Sequence, residues 1–308
     1  MNSISEALLH EITDWDDLFK GAYSIREDAQ CDSFQSSKNI KIVPKKDKPG
    51  IDIYISNEAN KETVFIPACV THGSVNDLVY NDFHVQEGAD VIIVAGCGVH
   101  TDTDEGVAHN GVHRFILEKN SHVLYKEKHV GSGNGTGKKV IDPVTAAYLD
   151  EGAVLEMETM QLKGVDKTLR KTEAELKAGA KLIIHESILT ENDNTAETDF
   201  VVTMDGDESS VDLISRSVAK DNSIQKYHSH IIGNSKCYGH SECDAILVGN
   251  GKVNASPELF AGHLDASLIH EAAIGKIAGE QLTKLMTLGL TEEEAEAKII
   301  EGFLTSQA

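Results

Sequence analysis

The sequence predicts a mainly β chain whose short strands either stack coil on coil as a β-solenoid or pack as a two-sheet sandwich. Three observations predict it. A turn dipeptide leading into an apolar strand recurs as E-G-A-D-V-I-I-V, E-K-N-S-H-V-L-Y, D-E-G-A-V-L-E-M and K-A-G-A-K-L-I-I, with turns at Gly88-Ala89, Asn120-Ser121, Gly152-Ala153 and Gly179-Ala180. No long helical pattern separates these units, as expected where each coil buries its face on the next. Aromatic residues make up only 5% of the chain, which suits a core of stacked aliphatic ladders. Sandwiches share these statistics, and the pattern alone leaves both architectures open.

In chain order, Ser3 to about Phe19 reads as a helix. Ser3 and Glu6 can form a capping box, and Ile4, Leu8, Ile12, Trp15 and Leu18 trace one apolar face. Cys31 to Lys48 is polar and reads as loop around a short strand, Ile40 to Val43. Strands follow at Ile51–Ile55, Thr63–Ile66 and Val91–Val94, then in the repeated units, with weaker units near Asp207-Glu208, Asn222-Ser223 and Asn250-Gly251. Ser241, Cys243, Ala245 and Leu247 alternate with Glu242, Asp244, Ile246 and Val248, the period of a strand. After it, Ile274, Ile277, Ala278, Leu282, Leu285 and Met286 recur at helical spacing up to a Gly289 stop. Thr291 and Glu294 make a second capping box, and Ile299, Ile300, Phe303 and Leu304 supply the last apolar stripe.

Composition excludes several classes of function. The chain has 308 residues, with 28 Lys plus Arg against 50 Asp plus Glu and a formal charge of −22. Binding a nucleic-acid backbone needs the opposite balance, so no nucleic-acid partner is expected. No apolar run approaches the roughly 20 residues of a membrane span, and the N-terminus lacks the basic and apolar regions of a signal peptide. Five cysteines, an odd number, stand at Cys31, Cys69, Cys97, Cys237 and Cys243, none in a C-x-x-C pair. A disulfide framework, a closed zinc site and a ferredoxin-type motif are therefore not expected, and a reducing cytoplasm is the expected location.

The glycine run from Gly131 to Gly137 invites a phosphate-binding reading and fails it. Ser132 stands where the first P-loop glycine belongs, and Lys139 where Ser or Thr is required. A flexible surface loop is the expectation. His228 and His230 share a strand face, and His109 and His113 flank a glycine. Imidazoles are common metal ligands, but neither pair has a carboxylate or thiol at ligand spacing along the sequence. Cys243 alternates with its neighbours as a small core residue does, while its thiolate is also the soft ligand that iron and sulfur prefer. Cys97 lies between two glycines that allow close backbone approach, suiting a tight coil corner or an access point for sulfur. Cys237 follows a polar loop.

The block from Lys236 to Phe303 carries G-H-S-E-C-D, S-P-E-L, I-H-E-A-A-I-G-K-I-A-G-E-Q-L and E-E-A-E-A-K-I-I-E-G-F. It resembles the C-terminal signature of the SufB/SufD family, scaffold proteins of the SUF iron–sulfur cluster assembly system. The likeness extends back through A-E-T-D-F-V-V and S-R-S-V-A-K-D-N-S to G-V-H-R-F and G-C-G-V-H, and so covers most of the chain.

The resemblance implies a right-handed parallel β-helix and resolves the choice left open by the strand pattern. It implies three regions: an N-terminal helical segment over 1–30, a β-helix core over 31–265 and a C-terminal helical region over 266–308 that docks an ATPase. Cys243 maps onto the cysteine used for nascent-cluster assembly, and His270 and Glu271 fall where the family places assembly-site residues, with Cys237 and Cys97 as lesser candidates. If Leu268 to Glu271 is a strand, His270 and Glu271 point to opposite faces; a helix start there would relax this. The implied function is a non-catalytic scaffold that builds a transient iron–sulfur cluster at a homodimer interface. Its implied partners are a SufC-like ABC-type ATPase, a sulfur donor and apo-protein acceptors. The competing class is a metal-dependent β-helical or cupin-like enzyme using clustered histidines and carboxylates.

Overall fold

A computed structural model describes residues 1–13 and 21–305. Two sheets face each other across one interior. The first contains, in spatial order, β2 (Gln30–Gln35), β1 (Ala22–Glu27), β5 (Asn60–Val70), β7 (Asp90–His100), β9 (His122–Ser132), β12 (Val154–Lys163), β14 (Lys181–Thr190), β16 (Ser210–Ala219), β18 (Tyr238–Leu247) and β20 (Ser267–Gly275). The second runs β3 (Ile40–Pro44), β4 (Gly50–Ile55), β6 (Asn76–Val85), β8 (Val107–Leu117), β10 (Lys139–Ile141) with β11 (Val144–Leu149), β13 (Lys167–Leu176), β15 (Thr195–Met204), β17 (Ile224–Gly233) and β19 (Lys252–Ala261). Strands alternate between the sheets and pair in parallel with those one coil away, giving a parallel β-solenoid of about 8 turns. The sandwich alternative is thereby excluded, because sequential strands lie in different sheets and pair in parallel.

The turn dipeptides set the corners. Gly88, Asn120, Gly152, Gly179 and Glu208 all adopt positive φ, the left-handed conformation in which glycine and asparagine carry the least strain. Each hands its amide to the next coil: Gly88 N donates to Lys119 O at 3.0 Å, Asn120 to Glu151 at 3.0 Å, Gly152 to Ala178 at 2.9 Å, Gly179 to Asp207 at 2.8 Å. The small residue that follows (Ala89, Ser121, Ala153, Ala180, Ser209) turns inward and is buried at every corner.

Within the first sheet the register aligns inward-facing residues into ladders along the solenoid. Val91, Val123, Leu155, Leu182, Val211 and Gly239 form one apolar ladder. The glycine-rich segment is not a free surface loop. It packs against the corresponding turn of the preceding coil, with Gly135 N donating to Thr101 O at 3.0 Å and Gly137 N to Thr103 O at 2.9 Å.

At the N-terminus α1 (Ser3–Thr13) is capped by Asn2, not by the Ser3–Glu6 box: Asn2 Oδ1 accepts from Ser5 N at 2.9 Å. Leu8, Leu9 and Ile12 are buried, whereas Ile4 is exposed; Trp15 and Leu18, expected on the same face, lie outside the described residues. Gly96 and Gly98 are where α1 meets the sheet, since a Cβ on Gly96 would lie 2.7 Å from Ile12 Cβ. Cys97 is thus mid-strand and inward-facing, not at a corner.

Two expected boundaries shift. Ala22–Glu27, placed in the helical segment, is a strand paired with β5, and Gln30–Gln35, read as loop, pairs antiparallel with it. Ser267–Gly275, placed in the helical region, is the last strand, so Ile274 belongs to β20 and the helix α2 begins only at Gly279. Alternate burial of Leu268 and His270 against the preceding coil wins over the helical spacing of a few apolar residues. α2 (Gly279–Met286) buries no residue. α3 (Glu292–Thr305) opens with the expected box, Glu294 N to Thr291 Oγ1 at 3.2 Å and Thr291 N to Glu294 Oε2 at 2.8 Å. It lays Ile300 and Leu304 against Val218 on the flank of the first sheet.

Candidate functional site

The expected site residues lie on the last two coils, where strand pleat separates them. Gly239, Ser241 and Cys243 of β18 point inward, and Leu268, His270 and Ala272 of β20 stand beside them in register. Cys243 and His270 therefore share the inner face. Glu271, in register with Glu242, is on the outer face, so a strand and not a helix start occupies this junction.

His270 Nδ1 lies 2.9 Å from the carbonyl oxygen of Ser241. A carbonyl only accepts, so Nδ1 carries the proton and Nε2 keeps its lone pair for a metal. The Cys243 thiol is 1% exposed, and burial, with smaller contributions from Glu186 and Asp244, pushes it up to about 12. At neutral pH it is a thiol, and a metal ion must displace its proton to bind. Ser241 meets Tyr227 Oη and Ser229 Oγ, each at 2.9 Å, which fixes the floor beneath His270.

The lesser candidates lie elsewhere. Cys237 begins the same coil six residues before Cys243, about 20 Å away at 3.3 Å per strand residue, and packs into the core beside Gly233. Cys97 is five strands away within the first sheet, roughly 24 Å at the usual strand spacing. It borders a cavity of about 270 Å³ near the N-terminal end, along with Arg26, Lys45, Asn81, His109 and His113. No one cluster bound to one chain can take both Cys97 and Cys243 as ligands. The histidine pairs have structural partners: His109 Nδ1 lies 3.0 Å from Asp77, His113 Nδ1 lies 2.8 Å from Tyr125 Oη, and His228 Nδ1 lies 2.8 Å from Asp199.

The structure also brings together a buried polar strip that sequence reasoning missed. Glu127, Thr159, Glu186, Ser215 and Cys243 occupy one inward ladder of the first sheet. Arg170, from the facing sheet, binds Glu127 at 2.6 Å and lies 3.3 Å from Glu186. Tyr125 Oη donates to Glu127 at 2.8 Å, and Thr198 and Ser215 donate to Glu186 at 3.0 and 2.9 Å. Burial pushes both carboxyls up. Arg170 outweighs this at Glu127, which is held well below the usual carboxylate range, while Glu186 stays raised. The signal in the sequence was a charged residue at an inward strand position, as in Tyr125-x-Glu127 and Ile184-x-Glu186.

Fold and site together define a β-solenoid that places a thiol, an imidazole and carboxylates on its last two coils. Residues 76–303 match the SufBD core domain of the SUF system for FeS cluster assembly, and the chain belongs to the SufB/SufD family. Proteins described as iron-sulfur cluster assembly SufBD family proteins are similar to it. One from Archaeoglobus fulgidus is 31% identical over 230 residues, 73% of this chain and 60% of that protein. One from Methanothermobacter thermautotrophicus is 28% identical over 258 residues, 82% and 62% of the two chains. A third, from Methanocaldococcus jannaschii, is 27% identical over 240 residues, 76% and 74%. The chain thus spans about 60% of the length of the first two. Among the described residues no helix is long and apolar enough to cross a membrane.

Two outcomes are expected. Arg170→Met leaves two buried carboxyls uncompensated and lowers the unfolding free energy by about 3–5 kcal/mol, measured by urea denaturation; a loss below 1 kcal/mol would show that the strip is hydrated. Brief alkylation with iodoacetamide at neutral pH, read by mass spectrometry, labels the exposed Cys31 and spares Cys243 until urea is added. Labelling of both at equal rates would mean that the last coils open in solution.

Proposed function

We propose that this protein is a non-catalytic scaffold on which a transient iron–sulfur cluster is built and from which it passes to apo-proteins. The observation that carries the reading is the placement of Cys243 and His270, diagonal neighbours on adjacent strands, on the shared inner face of the last two coils. Iron(II) arriving there displaces the thiol proton, while His270 offers Nε2 without reorganisation. One thiolate and one imidazole hold iron less firmly than four thiolates, as transfer to an acceptor requires.

A single chain leaves this site half walled. Among the described residues no coil stacks beyond β19 and β20, and Leu259, Phe260, Ile269 and Ile274 are exposed around them, Phe260 by 57%. An uncovered strand edge flanked by apolar side chains is a pairing surface. A second copy, related by a two-fold axis, would cover both edges and contribute its own thiol and imidazole. The sulfur would come from a separate donor protein in a reducing cytoplasm.

The energy source is proposed to be a separate SufC-like ABC-type ATPase, since this sequence has no P-loop. Its docking surface is α2, which keeps Leu282 and Leu285 partly exposed, with Met286 and then Leu288, 77% exposed, beyond them. α3, by contrast, spends its apolar face on the solenoid.

Anaerobic reconstitution with iron and sulfide tests the site. Cys243→Ala should abolish the cluster absorbance and His270→Ala reduce it several-fold, both with an unchanged circular dichroism spectrum. Full assembly by Cys243→Ala would overturn the assignment. For the partner, the exposed changes Met286→Glu and Leu288→Glu together should prevent co-purification with the ATPase while leaving thermal stability unaltered; undiminished co-purification would remove α2 from the interface.

A further inference from the structure

The outer face of the same two coils holds a second set of donors. His240 and Glu242 of β18 point outward, and Glu271 of β20 stands directly beside Glu242. One donor atom from each lies within 4.8 Å of the others. Metal–nitrogen and metal–oxygen bonds of about 2.0–2.2 Å place any two ligands at most roughly 4.4 Å apart. Three ligands at tetrahedral or octahedral angles lie about 3.0–3.6 Å apart, so the three side chains close by roughly an ångström or somewhat more around an ion, within reach of side-chain rotation.

The imidazole is already set for this. His240 Nδ1 lies 2.8 Å from Asp212 Oδ1. The carboxylate accepts, so Nδ1 carries the proton and Nε2 presents its lone pair, the arrangement of a carboxylate–histidine–metal relay. Asp212 stands in register with His240 on β16, so the sheet itself holds the pair.

Charge points the same way. Glu242 and Glu271 are forced side by side by the parallel register, and like charges opposed across strands are destabilising. Arg216 stands in register with Asp244. A second trio, Asp52, Asp82 and His84, also lies within 4.8 Å, and there Lys45 bridges both aspartates and Arg114 pairs with Asp82.

We propose that His240, Glu242 and Glu271 form a divalent-metal site for a first-row ion of the ferrous class, on the outer side of the wall whose inner side carries Cys243. One imidazole and two carboxylates, with the remaining positions open to water, bind such an ion without a thiolate and release it readily. Glu242 and Cys243 are consecutive, so iron held outside lies one strand thickness from the thiol. The proposal rests on the scaffold reading and gives Glu271 its part in it: iron loading outside, apart from the thiolate.

The test is anaerobic titration of the full-length protein with iron(II) alone, without sulfide. An outer-face equivalent is expected to bind wild type and Cys243→Ala with equal affinity, whatever further iron the thiol takes up in wild type. His240→Gln and Glu242→Gln should each weaken that outer-face binding by at least about tenfold, and Asp212→Asn by about tenfold through loss of the oriented tautomer. His84→Gln should change nothing. Glu242→Gln, an isosteric change at the surface, guards against a folding artefact at His240. The proposal is overturned if Cys243→Ala abolishes binding, or if Glu242→Gln and Glu271→Gln bind like wild type. If these variants behave as expected but wild type builds no cluster when sulfide is added, the scaffold reading fails and the metal site stands. If assembly depends on Cys243 while no outer-face variant alters iron binding, the metal site fails and the scaffold stands.

Discussion

The backbone hydrogen bonds between successive coils are the interaction on which the rest of the molecule depends. Each strand satisfies its amides and carbonyls only through the strands one coil before and one coil after, and the corner turns repeat the rule by donating from Gly88, Asn120, Gly152 and Gly179 to the following turn. The register holds along most of each strand pair, and local irregularities, as between Gln161 and Lys163, are absorbed without disturbing the coils beyond. A stack built this way must have two ends, and each end presents unpaired edges that the fold has to manage. The N-terminal end is closed by reversing direction: β2 and β3 each pair antiparallel with the strand next to them, and α1 seals the side of the first sheet. Among the described residues no strand closes the C-terminal end in the same way, and α3 turns back along the flank.

The interior has its own division of labour. Near the start of each strand of the first sheet the ladders are aliphatic, while two steps further along they carry Glu127, Thr159, Glu186, Ser215 and finally Cys243. Placing two carboxyls in a solenoid core is costly unless they are paired. Arg170 reaches both, and His129, 3.4 Å away, adds to it at Glu127 alone, so they differ: Glu127 is held well below the usual carboxylate range and Glu186 is raised. The same ladder that carries this charge ends at the thiol, which feels Glu186 as a charge that raises it further. The buried polar strip and the terminal site belong to one continuous surface inside the protein.

Strand pleat makes the last two coils two-sided. Consecutive residues on β18 and β20 alternate between an enclosed, thiol-bearing interior and a hydrated, carboxylate-bearing exterior, and the parallel register aligns the pairs without any loop to adjust them. Rigid elements hold such sets more accurately than loops do. The uncovered edges of β19 and β20 put both sides within reach of a partner.

The repeating turn-plus-strand unit was legible in the sequence because corner chemistry is local: glycine or asparagine at positive φ, then a small buried residue. The capping box of α3 and the alternation around Cys243 were legible for the same reason, and the family resemblance extended to Cys243, His270 and Glu271. The start of α2 was misjudged because Ile274 fits a helical stripe as well as a strand, and only the preceding coil decides between them. Asn2 took the cap expected of Ser3. The grouping of Glu127 with Arg170 and Glu186, and of His240 with Glu242 and Glu271, joins residues of different coils, about thirty positions apart along the chain where the strands pair. The sequence by itself determined where the chain turns between short strands, since turn chemistry follows from neighbours along the chain; its strand pattern suited coil and sandwich alike, and the parallel pairing of strands one coil apart decided for the coil. Which side chains meet inside and which face outward were decided by the tertiary structure, through a stacking register that no local pattern encodes.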